Sequence, residues 1–340
     1  MPTQVRNFFL FISLQILVFC SVRGIAQTPV HTTPLTKAEQ SGVVWIGEWP
    51  SEEIKNQKKD VKKHIKDFIF GKGIEKLKRP VSLVTVGQDN YWILDQENNA
   101  VINVDGKEFY VPHFIEKKNS NFGSLVSICK FKGKEMLFTD SYSNKIFVFN
   151  PDKKECVVLN DTLKLIKPTG IAYSAASNEI WLTETGKHQL IVLNEKGEIK
   201  KRIGMRGNQN GEFNFPTHLC IDKNGNVYVV DAMNFRIQIF NKDGIFQSTF
   251  GTNGDATGSF ASPKGIATDS YGNIYVVDAL FHAVQIFDIK GNFLYAFGRQ
   301  GQGQGEFWIP SGIYIDENNK IFVVDSYNSR IQIFQLKKGG

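Results

Sequence analysis

At 340 residues the chain is long enough for two average domains, and its 41% hydrophobic residues with 27 Phe exclude a disordered or fibrous protein. Its 40 basic and 34 acidic residues leave a net charge of +6, too mild to demand a nucleic acid or another polyanion as partner.

Residues 1–26 read as a secretory signal peptide. Arg6 precedes an apolar stretch from Phe8 to Cys20, and Gly24-Ile25-Ala26 places small residues where a signal peptidase reads. The stretch falls short of the roughly 20 apolar residues of a spanning helix, which favours cleavage near Ala26 over retention as an anchor. Bulky Phe19 argues against lipidation of Cys20. Removing Arg6 and Arg23 lowers the basic count from 40 to 38 against 34 acids, a mature charge of +4. The implied location is periplasmic or secreted, where no nucleic-acid target is expected. Cys129, Cys156 and Cys220 remain, an odd number without CxxC spacing, and read as small buried apolar residues rather than disulfides or metal ligands.

Residues 27–41 read as a flexible mature N-terminus. Residues 51–70 read as one amphipathic helix: Ser51 can cap it, Glu52 and Glu53 suit its first turn, and Ile54, Val61, Ile65, Phe68 and Ile69 fall on one side. The other side carries Lys55, Lys58, Lys59, Lys62, Lys63 and Lys66, either a solvated face or a contact for an anionic membrane surface or acidic polymer.

From residue 80 the chain is periodic. Asp95, Asp140, Glu184, Asp231, Asp278 and Asp325 recur at spacings of 45, 44, 47, 47 and 47, each closing a short apolar run such as Val227-Tyr228-Val229-Val230. A period of this size built from strands marks a radial β repeat, and six units that cannot bury both faces alone must stack around an axis. Residues 80–340 leave no space for a second fold. The predicted fold is all-β: a six-bladed β-propeller of four-stranded antiparallel blades. Gly204, Gly207, Gly211, Phe213 and Pro216 form a GxxGxxxGxFxxP connector that returns at Gly251–Pro263 and Gly298–Pro310. Each proline is followed by four segments, an inner strand, the apolar strand ending in the acid, a strand such as Arg236-Ile237-Gln238-Ile239-Phe240, and an outer strand, joined by Gly and Asn/Asp turns. The sixth unit lacks its outer strand. Residues 42–49 are the natural supplier, so an N-terminal strand would close the ring; Phe68-Ile69-Phe70-Gly71 competes less well because 51–70 reads as helix.

Pro263-Lys264-Gly265-Ile266-Ala267 with Asp278, and Asn234-Phe235-Arg236-Ile237-Gln238-Ile239-Phe240 with its counterpart Asn328–Phe334, resemble NHL repeats. The resemblance is strongest over 204–340. Blade 1 departs most, with Ala100 in place of the arginine. It implies a binding or scaffold module for a protein, peptide or glycan. The alternative it also implies is a metal-dependent lyase or hydrolase resembling the peptide-amidating lyase.

The chemistry argues for the first. Channel-entry positions, two after each proline or its counterpart, are Ser82, Ser127, Gly170, His218, Gly265 and Gly312, so only His218 could ligate a metal well. No catalytic residue, cofactor or metal is expected. The six repeated acids read as structural, with Asp231–Arg236 and Asp325–Arg330 able to pair across a turn. Binding is placed on the face formed by connectors and acid-to-arginine turns, through Arg206, His218, Phe235, Arg236, Phe281, Arg299, Tyr327 and Arg330, because aromatic and arginine side chains dominate binding energy. The opposite face, short hairpins, reads as suited only to turning the chain. A monomer is expected.

Overall fold

The computed structural model describes residues 42–50, 76–86, 90–105, 108–110, 122–153, 155–159 and 161–336. Residues 1–26, 27–41 and 51–70, expected to be a signal peptide, a flexible segment and a helix, lie outside the described residues. Among the described residues there is no α-helix, only single 3-10 turns at Thr185–Lys187, Ala232–Asn234 and Ser326–Asn328.

The described chain forms six antiparallel four-stranded sheets. Blade 4 shows the plan: an inner strand Pro216–Ile221, a second strand Val227–Asp231, a third Arg236–Phe240 and an outer strand Phe246–Phe250. The second strands are apolar at successive positions because both their faces lie against neighbouring blades. Every residue of Val227–Asp231 is buried, whereas the outer strand Ile199–Ile203 of blade 3 is almost wholly exposed. In blade 6 the outermost strand is Val43–Trp49, which runs antiparallel to Arg330–Leu336 with Val43 opposite Leu336 and Trp49 opposite Ile331. Trp49 then packs on Tyr91 of blade 1 and Phe322 of blade 6.

What fills the space between blades is also periodic. Phe260 of one connector sits 5.6 Å from Phe287 of the following blade and 6.4 Å from Phe250 of the preceding one, and Phe307 repeats this with Phe334 and Phe297. The connector residue three before the proline position is Leu77, Phe122, Leu165, Phe213, Phe260 or Phe307, and all six are buried. Each wedges a large apolar side chain where two blades diverge, a burial worth about 1.5–3 kcal/mol per residue. The glycines opening the connectors make room for it: a Cβ on Gly204, at φ +84°, would lie 2.5 Å from the Phe213 ring.

The inner strands form the wall of a central channel of about 300 Å³. In blades 1 to 5 the pairing of inner and second strands slips just after the proline position, for example between Pro216 and Leu219, so the intervening residues bulge out of the ladder. Neighbouring inner strands are stitched directly. Ile128 N–H donates to Ser82 Oγ (3.3 Å), Thr169 Oγ1 to Thr217 O (2.7 Å), Gly265 N–H to Ser311 O (2.9 Å), and Ser311 Oγ to Val81 O (3.3 Å), which joins blade 6 to blade 1. Gly170, Gly265 and Gly312 occupy channel-entry positions for a steric reason. A Cβ on each would meet the next blade's backbone, at 2.7 Å from His218 Cα, 2.8 Å from Gly312 Cα and 2.5 Å from Val81 O.

Candidate functional site

All six repeated acids are fully buried, and each accepts from backbone N–H groups of its own connector. Asp95 takes Lys78 and Arg79, Asp140 takes Gly123 and Ser124, Glu184 takes Ile166, Asp231 takes Asn214, Asp278 takes Ala261 and Ser262, and Asp325 takes Trp308. The partner precedes the acid by 16 to 18 residues in every blade, so the carboxylate fixes the end of the connector against the turn after the second strand. These carboxylates are consumed by the fold and present nothing to a ligand.

The arginines partnering two of these acids are equally committed. Arg236 Nε donates to Asp231 Oδ2 (2.8 Å), and its Nη2 reaches the carbonyls of Gln209 and Glu212. Arg330 does the same with Asp325, Gly303 and Glu306, and adds Glu48 of the outermost strand at 2.8 Å. Arg236 and Arg330, expected on a binding surface, are only 12% and 8% exposed. Blade 5 also lacks the arginine, having Ala283, and Asp278 compensates with Leu280 and Phe281 N–H.

Three further side chains in this network have a role that the sequence reading did not assign. Gln238, Gln285 and Gln332 each accept a connector glycine N–H through Oε1, from Gly211, Gly258 and Gly305, and donate through Nε2 to the carbonyl of Glu212, Ser259 and Glu306. Their recurrence two residues after the arginine position was a readable signal. His188 and His282 form another recurring contact. Each occupies the left-handed position ending its turn, and its Nδ1 accepts the N–H of the positive-φ residue before the next blade's proline, Phe215 and Ile309 respectively, at 3.1 Å. Burial holds both imidazoles below the ordinary histidine range.

What stays open on the connector face is a rim of apolar and aromatic side chains. Tyr142, Met233, Leu280 and Tyr327 occupy the second position after the acid in blades 2, 4, 5 and 6, and Ile166, Phe215 and Trp308 come from the connectors. All seven are exposed, from 41% for Phe215 to 79% for Tyr142. Trp308 and Tyr327 lie with ring centroids 6.5 Å apart, and the Arg79 guanidinium sits 5.3 Å over the Tyr327 ring. Of the aromatics expected here, Tyr327 stands on this rim, while Phe235 and Phe281 are half-buried. The single 3-10 turn points the second residue outward and folds the later ones back, and Phe235 packs on the core between blades 4 and 5. Met233 and Leu280 hold the outward position instead. Arg206 is exposed, and Arg299 is held by Glu306 at 2.7 Å.

His218 lines the channel with its Nδ1 buried and without a hydrogen-bond partner. Burial, with the nearby Lys264 charge second, pushes its basicity down to about 4, so it is neutral near pH 7. Among the described residues no three His, Cys, Asp or Glu side chains come together as a metal-binding group. Cys129 and Cys220 are free thiols, and burial pushes Cys129 up to about 12. At the opposite mouth, read above as short hairpins, Lys130 pairs with Glu317 at 3.5 Å, Tyr314 bonds Thr85 at 2.9 Å, and Tyr173 bonds Glu195 at 2.6 Å.

Solved structures with this architecture carry different functions. The chain is similar to virginiamycin B lyase from Staphylococcus aureus, with 15% identity and TM-score 0.56 over 76% of this chain and 96% of that one. It is similar to an auxiliary nutrient binding protein from Bacteroides ovatus, with 13% identity and TM-score 0.61 over 88% and 78%. A second auxiliary nutrient binding protein, from Bacteroides thetaiotaomicron, gives 15% identity and TM-score 0.61 over 77% and 70%. At such identities the likeness shows the fold alone. No curated protein matches the chain. Residues 161–237 and 268–339 match a family model, DUF5128, described as a 6-bladed beta-propeller, in agreement with the six blades of the structure.

Proposed function

We propose that this propeller is an exported, non-enzymatic binding module that holds a protein, peptide or glycan on its connector face. The observation that carries this reading is the exposed rim of Tyr142, Ile166, Phe215, Met233, Leu280, Trp308 and Tyr327. Scattered apolar side chains need no explanation, but seven on one face are the kind of surface that ligands and partners cover. The networks beneath make that face rigid, so little ordering entropy opposes binding. The auxiliary nutrient binding proteins with a similar fold give this reading a precedent, and virginiamycin B lyase gives one to a lyase. The lyase alternative is less well supported, because the repeated acids are fully hydrogen-bonded and the channel-entry ring offers one histidine. The repeats are read as NHL-type on their motif, the Val43–Trp49 strand as the element that holds the ring shut, and residues 1–26 as the export signal. Membrane contact through residues 51–70 and a monomeric state belong to the same reading.

Affinity capture from the native cell envelope, with wild type and a Met233→Glu/Trp308→Glu double variant side by side, tests the assignment. A partner or glycan retained by wild type and lost by the variant supports it. Equal retention by both sinks the connector-face assignment.

A further inference from the structure

The bulges of blades 4 and 5 carry Thr217 and His218, and Lys264 and Gly265, at the end of the channel that opens onto the connector face. A bulge frees residues from the ladder and re-aims their side chains. Here that leaves two buried polar atoms without a partner, beside a lysine. Thr217 Oγ1 and His218 Nδ1 are buried with no hydrogen-bond partner. Among the described residues the Lys264 ammonium makes no ion pair, and the carboxylate whose charge acts on it, Asp278, already accepts from four backbone N–H groups. Burial holds Lys264 below its ordinary value, and the Asp278 charge offsets only part of that. Buried polar groups in folded proteins are paired almost without exception, so the orphaned atoms of Thr217 and of channel-lining His218, which feels the Lys264 charge, call for a ligand that completes them. That ligand must be an anion with at least two acceptor lone pairs. One lysine beside a neutral imidazole and a hydroxyl balances a single negative charge, which suits a carboxylate better than a dianionic phosphate.

We propose that these two bulges form a subsite for the carboxylate of a ligand, with Lys264 as charge partner and the His218 imidazole and Thr217 hydroxyl as hydrogen-bond donors. This rests on the binding-module reading and adds to it a chemical requirement: the ligand lies across the aromatic rim and turns an acidic end into the channel. The end is either the C-terminus of a peptide or the carboxyl of an acidic sugar.

Two matched pairs of probes separate these sources by titration calorimetry: N-acetyl-Ala-Ala against its C-terminal amide, and glucuronic acid against its methyl ester. In at least one pair the acid binds about tenfold or more tightly than its neutral counterpart, the range expected for a charge-assisted hydrogen bond. Lys264→Met erases the preference and Lys264→Arg keeps it, both with wild-type melting curves. In the wild-type protein the His218 ring resonances shift on adding the acid and not on adding its neutral partner. No acid preference in either pair, or a preference surviving in a folded Lys264→Met protein, overturns the subsite. Loss of partner capture in the rim variant without any acid preference would reject the subsite and leave the rim reading standing. Acid preference with unaltered capture would do the reverse.

Discussion

The Arg330 guanidinium joins three parts of the chain, and its removal has a calculable effect. Replacing Arg330 with Met keeps much of the aliphatic volume and deletes four hydrogen bonds, to Asp325, Glu48 and the carbonyls of Gly303 and Glu306. Breaking a buried pair from one side costs about 3–5 kcal/mol. Asp325 keeps Trp308 N–H, Asn328 Nδ2 and Gln332 Nε2, so the lower end, about 3 kcal/mol, applies. Arg236→Met is the internal control, because Arg236 makes the same contacts within blade 4 and has no Glu48 equivalent. The Glu48 pair, 8% and 13% exposed on its two sides, adds about 1–2 kcal/mol to the Arg330 cost. At roughly 2 °C per kcal/mol for a domain of this size, Arg330→Met lowers the melting temperature by about 8–10 °C and Arg236→Met by about 6 °C. Thermal melts followed by tryptophan fluorescence measure both. A double-mutant cycle with Glu48→Gln isolates the coupling. Equal losses for the two arginines, with no coupling to Glu48, would refute the idea that this residue fastens the outermost strand.

Deleting residues 27–50 strips blade 6 of its outer strand and lowers the melting temperature by many degrees, and an unchanged curve would refute the role of Val43–Trp49 in holding the ring. Lowered histidine pKa values mean that the unfolded chain takes up protons first, so stability falls as pH drops below about 6.5. For His218, whose folded value is about 4, the loss through that window is of the order of 3 kcal/mol. His188 and His282 add in the same direction, and denaturation midpoints between pH 7 and pH 4.5 should flatten in His218→Gln. Gly312→Ala places a Cβ 2.5 Å from Val81 O and lowers the melting temperature, whereas Gly47→Ala, with nothing within 4 Å, leaves it unchanged. With burial raising Cys129 and Cys220, thiol reagents at pH 8 should label neither until the protein is denatured; rapid labelling would show that the blades open locally.

The architecture was legible because it is repeated: the spacing of the six acids, the consecutive apolar second strands and the missing sixth outer strand all follow from chemistry that each blade must satisfy. The surface was legible only in part. Arginine and phenylalanine were sought on the connector face by residue type, but type does not say which residue of a one-turn 3-10 segment points outward, so Phe235 stood in for Met233. Arg236 and Arg330 looked available because the carbonyls that consume them lie 24 to 27 residues earlier, in loops whose path no local pattern fixes. Thr217 and Lys264 were invisible for a related reason. A slip in strand register displaces a side chain without leaving a mark in composition.

Glu48 and Arg330 meet across a separation of 282 residues, which gives biosynthesis a waiting period. At about 5–20 residues per second, roughly 15–60 s elapse between the emergence of the Val43–Trp49 strand from the ribosome and that of its partner. Blades 1 to 5 can form during that interval, but the sixth cannot. Val43-Val44-Trp45-Ile46 is meanwhile an apolar strand with both edges unpaired, the kind of segment on which another copy of the chain can pair. Until the last blade arrives, the chain is therefore most open to mispairing at its oldest strand.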